Sequence, residues 1–370
     1  MKGFNWPRIA RFVICILLLA WISHSIFQQE ARFALGSQWD SLSSQERWKA
    51  AWTIGPHELR HALTHVGWSA FGWSLLCMGL SLVLGAMRWK VTLEALGLSL
   101  PITRVFEISW VAHFFNSFLL GSSGGDLLKA WYAARETHHL KTEAVVAVGL
   151  DRLIGLFAML MFAAGFIFIN QNLLWSDGKL QAISTFILVM ALGCGSVTLA
   201  ALWGGPKRWR PAWQKKLRQI PKGQMIERVI NACGSLGKRP AALMKCVILS
   251  LLINLVCVLQ IAALIRGFDI SPPMIPLMAI VPTIICISAI PVTPSGLGVR
   301  ENLYVLMLAS PGLGIPATTA LSVSLLAYAG SLIWSALGGL VYLTFRDKHH
   351  LKELTDSDIA TQETQENQST

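Results

Sequence analysis

Four uncharged apolar runs, at 66–87, 180–203, 246–265 and 317–345, set the rhythm of the chain. At about 1.5 Å per residue each can cross a hydrocarbon core of roughly 30 Å. A fifth run, 144–169, is interrupted only by Asp151-Arg152. The basic residues Lys2, Arg8 and Arg11 lead into another run at about 9–27. No small-x-small cleavage pattern follows it, so an uncleaved first span is expected. Residues 28–65 mix charges with Trp39, Trp48 and Trp52 and predict an external or interfacial segment. The tail, 346–370, is rich in Gln, Glu, Thr and Ser and predicts disorder.

Two glycine-rich breaks depart from this rhythm. Val105–Leu120 is apolar but too short to cross, and it runs into Gly121-Ser122-Ser123-Gly124-Gly125-Asp126. Ser109, His113, Asn116 and Ser117 recur there at helical spacing, which puts them on one face. The stretch 274–310 is broken by Pro291-Val292-Thr293-Pro294-Ser295-Gly296-Leu297-Gly298. Each reads as a re-entrant pair of half-helices, because broken backbone survives at membrane depth only where protein or a wet cavity covers it. Paired breaks in two halves of a chain point to a transport site.

The expected fold is therefore all-α and polytopic. It has about six full spans and two inverted hairpins, near 105–135 and 274–310, or eight spans if the second pair crosses fully. Residues 204–245 carry eleven Lys/Arg against the single acid Glu227, which assigns this loop to the cytoplasm. The same rule takes Arg88 and Lys90 as the cytoplasmic end of the second span and leaves both termini cytoplasmic.

Composition agrees with the pattern. The chain is 54% hydrophobic and 14% charged, with a mean hydropathy of +0.53, whereas soluble domains carry roughly 25% charged residues. A formal charge of +11 fits the positive-inside bias rather than nucleic-acid binding. Trp21, Trp68, Trp89, Trp175 and Trp203 lie near segment ends, as in an interfacial belt. Seven scattered cysteines without a CxxC suggest neither disulfides nor zinc. No nucleophile–base set, phosphate loop or metal motif is visible, so no cofactor, metal or enzymatic activity is expected.

The candidate site derives from the breaks. Half-helix N-termini favour an anion, and Lys129 and Arg300 stand near two of them. The candidate binding residues are Asn116, Gly124, Gly125, Asp126 and Lys129 at the first break, Ser295, Gly296, Gly298, Arg300 and Glu301 at the second, and Asp151 and Arg152 on the long helix. Asp126 and Ser295 also suit ordinary N-caps. Asp151 and Arg152 are adjacent and do not face each other on a helix. Each needs a partner elsewhere: Arg152 with Asp126 or Glu301, and Asp151 with Lys129 or Arg300. His113 is a further candidate for the cavity wall.

Three stretches, Gly124-Gly125-Asp126-Leu127-Leu128-Lys129, Asp151-Arg152-Leu153 and Pro294-Ser295-Gly296-Leu297-Gly298-Val299-Arg300-Glu301, resemble motifs of the lysylphosphatidylglycerol synthase transmembrane, flippase-like family. The resemblance covers roughly 70–345. Asp151 stands where that family usually has Glu, and Pro294-Ser295-Gly296 where it has Pro-Gly-Gly. With about 25 residues after the last span, the lipid-translocating half is implied without the aminoacyl-transferase domain. The resemblance does not imply the substrate; joined to the anion-suited half-helix ends with Lys129, Arg152 and Arg300, it leads to the expectation of a translocator of an anionic phospholipid or polyprenyl-phosphate-linked lipid in a bacterial inner membrane. The alternative is an accessory subunit presenting lipid to a separate glycosyl- or aminoacyl-transferase. Oligomeric state, headgroup and energy coupling stay open.

Overall fold

In a computed structural model the chain is described from residue 24 onward. Excepted are 25–26, 29–30, 33, 118–123, 137–140, 176, 203–231, 291–298, 311–312 and 367–370, and the backbone alone is described for 344–366 and a few positions between 58 and 65, at 141 and at 201–202. The predicted first span, most of the basic loop and the glycine-rich turns themselves, with Ser295, Gly296 and Gly298, thus lie outside the described residues. Every regular element among the described residues is helical.

Helix α1 is Ser44–Val66, α2 Trp68–Ala95, α3 Ile102–Asn116, α4 Gly124–Glu136 and α5 Lys141–Ile169. They are succeeded by α6 Gly178–Leu202, α7 Pro240–Arg266, α8 Met274–Ser288, α9 Val299–Leu308 and α10 Ala317–Glu366. Five of them, α2, α5, α6, α7 and α10, are long and apolar enough to cross a membrane. The expected external segment is largely α1, opened by a capping box in which Ser43 and Glu46 satisfy each other's backbone amides. The last helix runs on through Glu366, so the tail has helical backbone where its composition predicts disorder.

Two packed pairs of short helices, α3 with α4 and α8 with α9, interrupt the long ones. At 15 residues, α3 and α8 each reach only about 22 Å. The α3/α4 pair is a true hairpin. At its closed end the Gly125 amide donates to Asn116 Oδ1 at 2.8 Å. At its open end Arg104, near the start of α3, lies 3.8 Å from Glu136 at the end of α4. Its closeness needs glycine: a Cβ on Gly125 would run into the Ala112 carbonyl oxygen.

The halves interlock by exchange. Helix α2 lies along α7; α3 packs on α10, the long helix of the other half, and α8 packs on α5. Two further pairs of contacts match in the same way, α4 on α5 as α9 on α10, and α2 on α3 as α7 on α8. One apolar core joins α5, α7, α8, α9 and α10, including Leu160, Ile261, Ile280, Met307 and Val323. A second joins α2 to α5 around Trp89, Leu93, Ile108 and Ala147. Trp89, expected in an interfacial belt, is fully buried, whereas Trp68 and Trp175 are exposed as expected.

The α3–α10 contact is glycine-dependent. A Cβ on Gly338 would run into the Trp110 carbonyl oxygen, and one on Gly339 would stand 2.9 Å from the Phe114 ring. Gly338→Ala should therefore lower the midpoint of thermal unfolding in detergent by the equivalent of about 1–3 kcal/mol, the usual effect of overpacking. An unchanged midpoint would show that α10 is free to slide on α3.

Candidate functional site

A cavity of about 450 Å³ opens where the two hairpins meet the long helices. Ser109, His113, Asn116 and Ser117 supply the α3 wall, so the polar face of that half-helix does border a cavity. Asp126 and Lys129 enter from α4, Asp151 and Arg152 from α5, and Arg300 from α9. Glu301 is buried beside Arg300. Gly124 opens α4 and Gly125 fixes its distance from α3. Of the expected residues, those described converge on one site.

Asp151 is the centre of this arrangement. Arg88 holds it with two hydrogen bonds, Nε to Oδ1 at 2.9 Å and Nη2 to Oδ2 at 3.3 Å, and Lys129 Nζ lies 3.9 Å from Oδ2. The side chains of all three are at most 12% exposed. Arg88 also donates from Nη1 to Ser250 Oγ at 3.1 Å, which ties α7 to the same carboxylate. Gly155, one helical turn on from Asp151, leaves room for the guanidinium: a Cβ there would stand 2.7 Å from Arg88 Nη1.

Arg88 is therefore not at the end of its helix. Helix α2 continues to Ala95 and turns Arg88 inward onto α5. Residue spacing gives no sign of this. The only clue along the chain is an arginine within a turn of Trp89 and ahead of a further apolar turn. Arg152 pairs with Asp126 through both Nε and Nη2, one of the two partners expected for it. Arg300 and Glu301 pair with each other at 2.5 Å, although neighbours on a helix face apart. Arginine's long side chain, in the first turn of α9, reaches back to its neighbour. Asp151 likewise has Lys129, the first of the two partners expected for it, at 3.9 Å.

The N-terminus of α4 differs from expectation too. The Gly125 amide is taken by Asn116 from α3, and the Asp126 carboxylate lies on Arg152. Side-chain charge is also placed to meet a ligand. The Lys129 ammonium rests 4.2 Å over the Trp89 ring and makes no hydrogen bond to the described residues. Arg300 rests 4.2 Å over the Tyr328 ring, and its Nε is buried without a hydrogen-bond partner among the described residues. Counting Glu301, the site holds Arg88, Lys129, Arg152 and Arg300 against Asp126, Asp151 and Glu301, an excess of one positive charge.

Apolar helices around a charged, partly unsatisfied cavity define a multi-pass membrane protein with an internal polar site. Residues 9–339 match the Lysylphosphatidylglycerol synthase TM region family, and the chain belongs to it. It is also similar to a UPF0104 membrane protein of Methanothermobacter thermautotrophicus, 25% identical over 287 residues, which cover 72% of this chain and 80% of that protein.

The two acids should differ sharply in what their removal does. Asp151→Asn leaves Arg88 and Lys129 buried without a counter-charge and should destabilise the protein by about 3–5 kcal/mol. Asp126→Asn removes one partner of Arg152, whose side chain is 47% exposed, and should cost no more than about 1 kcal/mol. Thermal unfolding of the two purified variants checks this; equal shifts would refute the central place given to Asp151.

Proposed function

We propose that the protein moves a lipid with an anionic, phosphate-bearing headgroup between the leaflets of a bacterial inner membrane. In this reading it is a translocator and not an enzyme, and both termini are cytoplasmic. The observation that carries it is the pair of under-used cations, Lys129 on the first hairpin and Arg300 on the second, bordering one cavity. Intramembrane charges of this kind commonly line a pathway.

The headgroup phosphate takes the free donors of Lys129 and Arg300, while Asp151 keeps Arg88 in place beneath them. The partly exposed Arg152–Asp126 pair stands at the edge of the site and opens without uncovering the deep cluster. Membership of a family described by the membrane region of a lipid-modifying synthase supports lipid as the cargo. The exchanged packing of the halves supports a fixed site with the long helices rearranging around it.

The test is transfer of fluorescent phosphatidylglycerol across liposomes holding the purified protein, monitored by quenching from outside. Wild type should transfer it rapidly. Lys129→Ala and Arg300→Ala should each slow transfer at least tenfold while still eluting as a single folded species. Full transfer by both variants would refute the anion site. Lipid binding without transfer would replace translocation by the accessory role, presenting lipid to a separate transferase.

A further inference from the structure

The charged groups at the cavity are not equally enclosed. Arg88, Lys129, Asp151 and Glu301 are nearly dry, whereas the Arg152 side chain is 47% exposed, the highest value among the described charged groups there. Yet Arg152 lies deep in a span. It stands about 15 Å along the apolar helical stretch that starts at Thr142 and is long enough to cross a membrane. A half-exposed arginine at that depth is costly unless water or a lipid headgroup meets it. Its place marks the seam of α4 and α5 as the thinnest wall of the cavity.

The surface beside Arg152 is apolar and open. Gly149, Arg152 and Leu153 share one face of α5 at i, i+3 and i+4. A Cβ on Gly149 would meet nothing within 4 Å, so there is room next to the arginine. Leu153 is exposed, and so are Leu127 and Trp131, which share a face of α4 at i and i+4. Asp126, next to Leu127, fastens the two helices through its pair with Arg152. An open apolar face thus ends at a guanidinium that borders the cavity. A guanidinium offers the same forked donors to a phosphate as to a carboxylate, so Asp126 occupies a place that a headgroup phosphate can take. Acyl chains gain nothing from a cavity lined by charge and stay against apolar surface.

We infer that a phospholipid docks in the seam between α4 and α5, its phosphate taking Arg152 from Asp126 and one acyl chain lying along Gly149 and Leu153. Leu127 and Trp131 border the chain on the α4 side. The headgroup thereby reaches the cavity sideways, from within the bilayer, and the tails never leave it. No covalent bond changes; one ion pair is exchanged for another. The inference rests on the lipid cargo proposed above and adds to it the route and the side chains that guide the tails. Leu192, exposed on α6, gives an ordinary lipid-facing surface for comparison, since that helix has no charged residue after Lys179.

Photolabelling in nanodiscs tests the docking without requiring transfer. The probe is phosphatidylglycerol with a diazirine in one acyl chain, and labelled residues of the purified protein are located by mass spectrometry. In the wild type, label should gather on Leu127, Trp131 and Leu153 above the level on Leu192. Unlabelled phosphatidylglycerol should displace it where diacylglycerol does not. Arg152→Gln should lower the seam label about tenfold, the loss of a charged hydrogen bond, and leave Leu192 unchanged. Gly149→Leu should fold as the wild type does, because a Cβ there meets nothing, and should lower both seam label and transfer in liposomes severalfold. Seam label no stronger than on Leu192, or equal label in Arg152→Gln and wild type, overturns the inference. So does unchanged label in Gly149→Leu, which decides the matter should Arg152→Gln not fold. Label that follows Arg152 without transfer in liposomes leaves the dock standing and removes translocation. Loss of transfer in Lys129→Ala with full transfer in Gly149→Leu overturns this route and leaves the anion site.

Discussion

A carboxylate shared between two cations holds the interior of this protein together. Asp151, Arg88 and Lys129 are nearly dry, and a charge in such surroundings is tolerated only when it is paired and hydrogen-bonded. The cluster reaches into α2, α4, α5 and, through Ser250, α7. Four helices from both halves thus share one electrostatic requirement. Apolar packing between membrane helices has little hydrophobic drive of its own, because lipid tails are equally apolar. A buried ionic cluster specifies register where packing alone would leave several solutions close in energy.

The same cluster shapes the cavity above it. Arg88 spends its donors on Asp151 and Ser250, so it is structural in effect though it borders the site. Lys129 shares the carboxylate only at 3.9 Å and leans on Trp89, and it makes no hydrogen bond to the described residues. Arg300 is held by Glu301 and the Tyr328 ring, and its Nε has no hydrogen-bond partner among the described residues. The difference between a fully spent and a partly spent cation separates scaffold from binding surface here.

Much of this was legible along the chain. Long uncharged runs are unambiguous, so α2, α5, α6, α7 and α10 fall close to where hydropathy puts them. Spacing on α3 identified the face that borders the cavity. Charge partners were narrowed to a few choices, and Arg152–Asp126 and Asp151–Lys129 were among them. Which choice is made depends on helix rotation and depth, and neither leaves a periodic trace. Arg88 was missed for that reason: a basic residue near the end of an apolar run reads as a topology marker, and only tertiary packing turns it inward. Trp89 went with it, buried as the surface on which Lys129 lies. The Arg300–Glu301 pair escaped because helix-face rules describe regular turns, and this pair sits in the first turn after a break.

The exchange of partners between halves also bears on how the chain is made. Helix α3 is too short to cross, yet the helix that covers it is α10, and Ser335 reaches the Phe114 carbonyl across 221 residues of sequence. A ribosome delivers the first hairpin long before its cover exists. Until α10 arrives, the polar face of α3 and the breaks beside it must wait against water, lipid headgroups or an insertion chaperone. Loop closure over such a span is slow compared with local helix formation. Maturation of the first half is thereby deferred to the end of synthesis, and a chain stopped before α10 would present an unfinished hairpin to the cell's membrane proteases.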